Sequence, residues 1–281
     1  MEVIRIAAFS HNNQGGNPAG VVICNEMPTE TKMLQTAKHV GYSETAFIKQ
    51  MDDDWRIRYF APETEVPFCG HATIASGAVL GELYGEGTYK LFLNKGEISV
   101  TVSKSETGVF SATLQSPNTW SESAPQEYVE SLLDNFNFSI SDLNPNYPVS
   151  FAFAGAKHLI VVLTEHKKLA EMSYEFEPVK TLMKKEELVT INLAWIESNQ
   201  TIYSRNPFPP GGVYEDPATG AAAAALAGYL RDIKWHGEKS FEILQGQDMG
   251  HPSRLFVRYT GTKGESVKVS GETRHIIEAA G

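Results

Sequence analysis

The chain states one short pattern twice. Residues 65–72 read EVPFCGHA and residues 215–222 read EDPATGAA, sharing Glu-x-Pro-x-x-Gly-x-Ala. Every matched pair, from Glu65 with Glu215 to Ala72 with Ala222, is offset by 150 (215 − 65 = 150). At the same offset Ala75 meets Ala225, Leu80 meets Leu230, and the small residues Gly77 and Ala78 meet Ala227 and Gly228. Each copy is a turn signal that feeds a run of helix formers. Proline near a helix start and alanine inside it are common on their own, but so many matches in one register point to duplication. Two related helix N-termini predict two related half-proteins, with an active site in a cleft between them.

A length of 281 residues accommodates two such lobes with an ample core. The formal net charge is −10 and no Lys/Arg-rich run occurs, which argues against nucleic acid or an anionic membrane as partner. Two cysteines cannot make a disulfide framework, so a reducing, cytoplasmic setting is expected. The opening MEVIRIAAFS lacks the pattern of a signal peptide, and apolar runs such as AAAAALAGYL fall short of the ~20 residues that a membrane span needs.

The order of elements in residues 1–115 is echoed in 150–270. Strands are expected at 2–9 and 20–24, and a helix at 29–40 capped by Thr29. Further strands follow at 44–50 and 55–60, then a helix over 71–84 rich in small residues, then strands near 90–93, 97–103 and 109–115. The Ser-, Pro- and Asn-rich segment 116–126 reads as a linker. Beyond it come helices at 126–134 and 178–186, strands at 150–155, 158–164, 190–196 and 200–206, and a helix from Thr219 to Leu230. The last strands are expected at 240–246, 254–259 and 265–270. The fold class is therefore α+β with two pseudo-symmetric lobes. The first lobe is expected over 1–116, completed by the tail 268–281, and the second over 117–267.

Both repeat copies put a glycine, Gly70 and Gly220, where a helix begins. Free N–H groups and the macrodipole there favour a carboxylate or a developing enolate. For either copy alone, a glycine that merely ends a strand is the commoner reading; for the pair, a binding site is the better one. His71 follows Gly70, where the dipole favours a neutral imidazole able to pass protons. Asp216 stands at the entrance of the second copy, where a plain cap or turn carboxylate is common. Glu44, in GYSETAFI, precedes an apolar strand; burial there would raise its pKa and suit it to acid/base work, whereas a solvated turn carboxylate is the commoner role. Ser43 has no nucleophile elbow around it, because Thr45 stands where glycine is needed. Cys69 has no partner thiol in the other copy, where position 219 is threonine, and Cys24 in VVIC reads as core. Racemisation by a cysteine pair is thus disfavoured. The histidines show no ligand spacing and no phosphate-binding glycine pattern occurs, so neither a metal nor a nucleotide cofactor is expected.

GGNPAGVVI near the start, GYSETAFI, RYFAPETEVPFCGHATIA and YEDPATGAAAAALAGYL together resemble the phenazine-biosynthesis isomerase-like (PhzF-type) proteins in order and spacing. The resemblance covers most of the chain and implies a diaminopimelate-epimerase-like fold, each lobe a β-barrel around a central helix. It carries proton transfer to Glu44, His71 and Asp216, and substrate contact to Asn17, Gly70, Gly220 and Ala221, with no metal or organic cofactor. In one departure, Ala221 stands where the family's phenazine isomerase has serine, which removes a hydroxyl from the site. The expected activity is cofactor-independent isomerisation: a proton moves on a small unsaturated or α-activated carboxylic acid, and the protein works as a homodimer. The alternative is a catalytically inactive homodimer of the same fold that binds small acids.

Overall fold

In the computed structural model, residues 1–277 are described, and the chain divides into two compact units. The first comprises residues 1–115 and the chain from Ser270 onward; the second comprises Ser116–Val269. Positions 278–281 of the expected 268–281 tail lie outside the described residues. No helix among the described residues is long and apolar enough to cross a membrane.

Unit one contains β1 (Ile4–Ser10), β2 (Asn17–Cys24), α1 (Glu30–Val40), β3 (Glu44–Met51), β4 (Asp54–Phe60), β5 (Glu65–Val66), α2 (Gly70–Tyr84), β6 (Gly87–Phe92), β7 (Glu97–Lys104) and β8 (Phe110–Gln115). Unit two contains β9 (Trp120–Ser123), α3 (Gln126–Phe136), β10 (Ser150–Phe153), β11 (Lys157–Val162), α4 (His166–Ala170), α5 (Phe176–Lys185), β12 (Thr190–Ile196), β13 (Thr201–Pro207), β14 (Glu215–Asp216), α6 (Gly220–Asp232), β15 (Ser240–Gln245) and β16 (Ser253–Tyr259). The last strand, β17 (Val267–His275), begins in unit two and ends in unit one.

Both units follow the same pairing rule. In unit one β2 runs parallel to β3, β3 antiparallel to β4, β4 parallel to β6, and β6 antiparallel to β7. In unit two β11 runs parallel to β12, β12 antiparallel to β13, β13 parallel to β15, and β15 antiparallel to β16. Each two-residue strand of the repeat, β5 or β14, is clipped antiparallel onto the strand before it. β17 pairs with β1 on one side and β8 on the other, and so closes the first unit into a barrel. α2 packs against β1, β2, β3, β6, β7 and β8, so it forms the axis of that barrel. α6 packs against β9 to β12 and β16 in the same way. The architecture is α+β, a mixed barrel around a central helix in each unit.

An axial helix has no solvent face. Residues 70–81 of α2 are all buried, which explains why its sequence shows almost no amphipathic alternation. The barrel wall then comes so close that side chains must be small. A Cβ on Gly77 would sit 2.6 Å from Val100 Cγ2, and one on Gly228 would sit 2.8 Å from Thr119 Cβ. By contrast α1 is an ordinary surface helix. Thr29 Oγ1 accepts from Lys32 N, Gly41 ends the helix at φ 74°, and Met33 and Ala37 dock on Val22, Phe47 and Phe60.

Two elements differ from expectation. The segment read as a linker holds β9, which pairs antiparallel with β10 from Phe153↔Trp120 to Ser150↔Ser123. Trp120 stacks on Phe153 with the rings 4° from parallel. A strand of tryptophan and polar residues has no apolar alternation to reveal it, so cross-strand pairing decides its structure. α4 was not expected either; a five-residue helix is too short to show a period.

The steric limit yields a test. Gly77→Ala is expected to destabilise the protein by about 1–3 kcal/mol through overpacking against Val100. Val100→Ala in the same chain should recover part of the loss. Urea unfolding of the two variants measures both effects, and an unchanged stability for Gly77→Ala would show that the wall yields freely.

Candidate functional site

The turn before each axial helix is held by the same device. In unit one Arg58, on β4, grips Glu65 with two hydrogen bonds of 2.7 and 2.6 Å. In unit two Arg205, on β13, grips Glu215 at 3.0 and 2.5 Å. The registers make the pairs equivalent. Phe60 faces Glu65 and Pro207 faces Glu215, and each arginine stands two residues before its facing residue. The repeated glutamate is therefore an anchor, and its bidentate pairing fixes the direction in which the chain enters the helix. The hydrogen bond from Arg58 holds the Glu65 carboxyl below its ordinary pKa.

Both helix starts lack a side-chain cap. The N-cap residues are Cys69 and Thr219, and neither side chain accepts from the first turn of its helix. The first helical hydrogen bonds are Thr73 N to Cys69 O and Ala223 N to Thr219 O. The earlier amides thus have no acceptor within the helix, as expected of an anion-binding terminus.

In unit one, Glu44 opens β3 and is only 8% exposed. Its Oε2 lies 3.4 Å from His71 Nε2. That oxygen is buried and has no hydrogen-bond partner among the described residues. Burial pushes the Glu44 carboxyl up from its ordinary value, against hydrogen bonds from Ser43 and Cys69 that lower it. His71, also buried, has Ser43 Oγ 3.4 Å from Nε2 and Cys69 Sγ 3.4 Å from Nδ1. Gly70 opens α2, and Asn17 is buried at the start of β2. Glu44 and His71 thus come together. The two residues that sequence reasoning set aside, Ser43 and Cys69, join them. Cys69 was expected to lack a partner thiol in the other copy, and its neighbours are an imidazole and a carboxylate from the same unit.

In unit two, Asp216 is buried, and Thr219 Oγ1 donates to its Oδ2. Gln245, from β15, donates to the Asp216 carbonyl at 2.7 Å and accepts from Thr219 N at 3.2 Å. Nothing local in the sequence marks Gln245, since only the fold brings β15 to this turn. Gly220 is buried, while Ala221 stays partly exposed in the first turn of α6.

The pairing registers show how the two units have diverged. Glu44 stands three residues before Phe47, which faces Arg58. Thr190 stands three before Leu193, which faces Arg205. Thr190 is thus the counterpart of Glu44. Its hydroxyl donates to Asn206 Oδ1 at 3.0 Å, so it accepts from His158 Nδ1 at 2.8 Å. Complete burial pushes the His158 pKa down to about 3 and keeps the ring neutral. At the 150-residue offset His71 matches Ala221, Cys69 matches Thr219 and Asp216 matches Val66, so His71 and Asp216 do not occupy equivalent positions. Proton-carrying groups cluster at the start of α2, and its counterpart carries one carboxylate braced by amide and hydroxyl groups. Metal-ligand atoms also gather at α2: those of Glu44, Cys69 and His71 lie within 4.8 Å of one another. Sequence spacing concealed this set, because Glu44 arrives from a different element.

Comparison with known proteins sets this geometry in a family. Residues 6–279 match the family described as phenazine biosynthesis-like protein (PhzC-PhzF). An uncharacterized isomerase of Bacillus subtilis, YfhB, is 29% identical over 96% of this chain and 94% of its own. The trans-2,3-dihydro-3-hydroxyanthranilate isomerase of Pseudomonas aeruginosa is 30% identical over 95% of this chain and 94% of its own. Among solved structures, a PhzF-family protein of Bacillus anthracis aligns with TM-score 0.86 at 22% identity, over 99% of this chain and 98% of that one. A probable proline racemase from Agrobacterium radiobacter aligns with TM-score 0.66 at 11% identity, over 98% and 90%. The fold is thus shared with racemases and epimerases.

Two outcomes follow from the site's electrostatics. The Arg205–Glu215 side chains are 9% and 3% exposed, against 18% and 19% for Arg58–Glu65. Glu215→Gln should therefore cost about 3–5 kcal/mol, as expected for a broken buried pair, and Glu65→Gln clearly less; equal losses in denaturant unfolding would refute the ranking. Glu44 has a folded-state pKa above its unfolded one. Its contribution to stability is full below the ordinary value of 4.5 and is lost as pH rises through the raised value. Glu44→Gln should accordingly raise the melting temperature at neutral pH, and the gain should shrink as the pH falls toward 4.5. A variant less stable than wild type at pH 7 would contradict an uncompensated buried carboxylate.

Proposed function

This chain belongs to the phenazine biosynthesis-like (PhzC-PhzF) family and is an isomerase, and we propose that it moves a proton on a small unsaturated or α-activated carboxylic acid, with Glu44 as the base. One observation carries the reading: a buried carboxylate without a hydrogen-bond partner on Oε2, 3.4 Å from an imidazole, at a helix start with no side-chain cap. A buried carboxylate with one oxygen left without a hydrogen bond costs stability and is pre-set to accept a proton. Raised basicity helps it to take a proton from a carbon acid whose own carboxylate rests on the amides of the helix start. His71 and Asp216 are assigned to proton handling and orientation, and Asn17, Gly70, Gly220 and Ala221 to substrate contact. The chemistry so described needs no cofactor, because the same carboxylate can return the proton elsewhere on the delocalised system. We place this activity in a cytoplasmic homodimer.

The alternative, an inactive acid binder, draws on Ala221 in place of a hydroxyl. It has less support, since a protein that only binds has no use for a buried carboxylate oxygen left without a hydrogen bond.

Exchange in deuterated water distinguishes the two. With a panel of unsaturated and α-activated acids, the wild-type protein should incorporate deuterium into at least one member. Glu44→Gln should lose at least 100-fold of that rate, within the range expected for a general base, while it still binds the acid in thermal-shift titration. Exchange within a few-fold of wild type by Glu44→Gln would remove Glu44 as the base. Binding without exchange by the wild-type protein would favour the inactive reading.

A further inference from the structure

We infer that Glu44, Cys69 and His71 form a binding site for a soft divalent cation of the zinc class, and that the bound ion silences the base. His71 Nε2 lies 3.4 Å from Glu44 Oε2 and 3.9 Å from Cys69 Sγ. Tetrahedral zinc, with bonds of about 2.0–2.1 Å to nitrogen, 2.0–2.2 Å to oxygen and 2.3 Å to sulfur, needs ligand–ligand edges of about 3.4 Å for N to O and 3.6 Å for N to S. The cluster matches the first edge; Cys69 Sγ lies toward the Nδ1 side of the ring, 3.4 Å from Nδ1 against 3.9 Å from Nε2, so the thiol must rotate toward Nε2 for the second edge to close.

The donor set selects the metal. Thiolate and imidazole favour zinc, cadmium or copper(I) over magnesium or calcium, which prefer oxygen. Three protein ligands leave a fourth position for water or for a carboxylate, the pattern of an open zinc site. A second observation points to a ligand independently of the cluster: Glu44 Oε2 is buried without a hydrogen-bond partner among the described residues. A cation at the centre of the triangle would supply the missing counter-charge. It would also occupy the oxygen that takes the substrate proton. The loss of activity on metal binding rests on the isomerase reading above; the binding itself does not.

The test uses the whole protein, reduced and freed of metal with a chelator, and titrated with Cd2+ in the absence of substrate. The expected result is a thiolate-to-cadmium charge-transfer band that saturates at a single equivalent. Cys69→Ser should abolish the band. His71→Gln should weaken binding on the order of 100-fold or more, beyond the 10–100-fold that outer-shell changes cost. Cys24→Ser, which alters the other thiol, should keep band and affinity. No band in the wild-type protein, a band that survives in Cys69→Ser, or one lost only in Cys24→Ser would overturn the site. Should Cys69→Ser fail to fold, Zn2+ protection of Cys69 against alkylation in the wild-type protein, read by mass spectrometry of its peptide, serves instead; equal labelling with and without Zn2+ would overturn the site. The binding measurements stand even if no acid in the deuterium panel exchanges.

Discussion

A helix enclosed by a barrel constrains each unit more than any other contact does. Residues 70–81 have no solvent side, so size limits every position, and among the polar ones Thr73 bonds Tyr59 and the Cys69 carbonyl while His71 lies beside Glu44. Strand-to-helix distance is set where Gly77 meets Val100 and where Gly228 meets Thr119. Because the axis is fixed laterally, its start is fixed as well. The Arg58–Glu65 and Arg205–Glu215 pairs then determine how the chain arrives there. Amides without an acceptor inside the helix are a direct result. The entering turn is committed to its anchor, and the N-cap side chains, Cys69 and Thr219, do not accept from the first turn. Packing and anchoring thus fix the helix start independently of the residues proposed for catalysis.

Duplication explains why the two starts are alike, and the registers show how they came to differ. Where unit one has Glu44, unit two has Thr190 inside a chain of hydrogen bonds running through His158 and Asn206. A threonine that both donates and accepts has no proton left to trade. His158 is neutral across the physiological range, so its network holds no charge. Each position is served by the chemistry it can tolerate. The unit-two network is neutral and leaves His158 Nε2 without a hydrogen-bond partner among the described residues, whereas in unit one the underserved atom is a carboxylate oxygen, which costs more to bury.

Legibility in the sequence followed the same physics. The repeat was visible because sterics and anchoring restrict it to glycine, alanine, proline and glutamate at a fixed offset. The parallel and antiparallel order of strands was recoverable only in outline, since β9 is a polar strand made by pairing and α4 is shorter than a helical period reveals. Glu44 and His71 could be named from their motifs. The roles of Glu65 and Glu215 could not, because their arginines sit on strands whose register is invisible before folding. Ser43, Cys69 and Gln245 were missed for a related reason. Each acts through a neighbour brought close by the fold, and pattern reasoning weighs a residue mainly by its sequence neighbours.

The cost of Glu44 is instructive about what the fold must supply. A carboxylate at that depth would ordinarily protonate or acquire a cationic partner. No arginine or lysine is paired with it; the nearby groups are a serine hydroxyl, a thiol and an imidazole. Each can donate a single weak hydrogen bond, and none carries a permanent charge. A permanent cation at that distance would lower the carboxyl pKa and weaken the base; no donors at all would keep it protonated and idle. Donors without a permanent charge lie between these limits. Two of those groups, the Cys69 thiol and the His71 imidazole, gather with the Glu44 carboxylate itself, and the potential ligand atoms of the three lie within 4.8 Å of one another. The arrangement proposed to hold a base is therefore also the one proposed to bind a thiophilic cation.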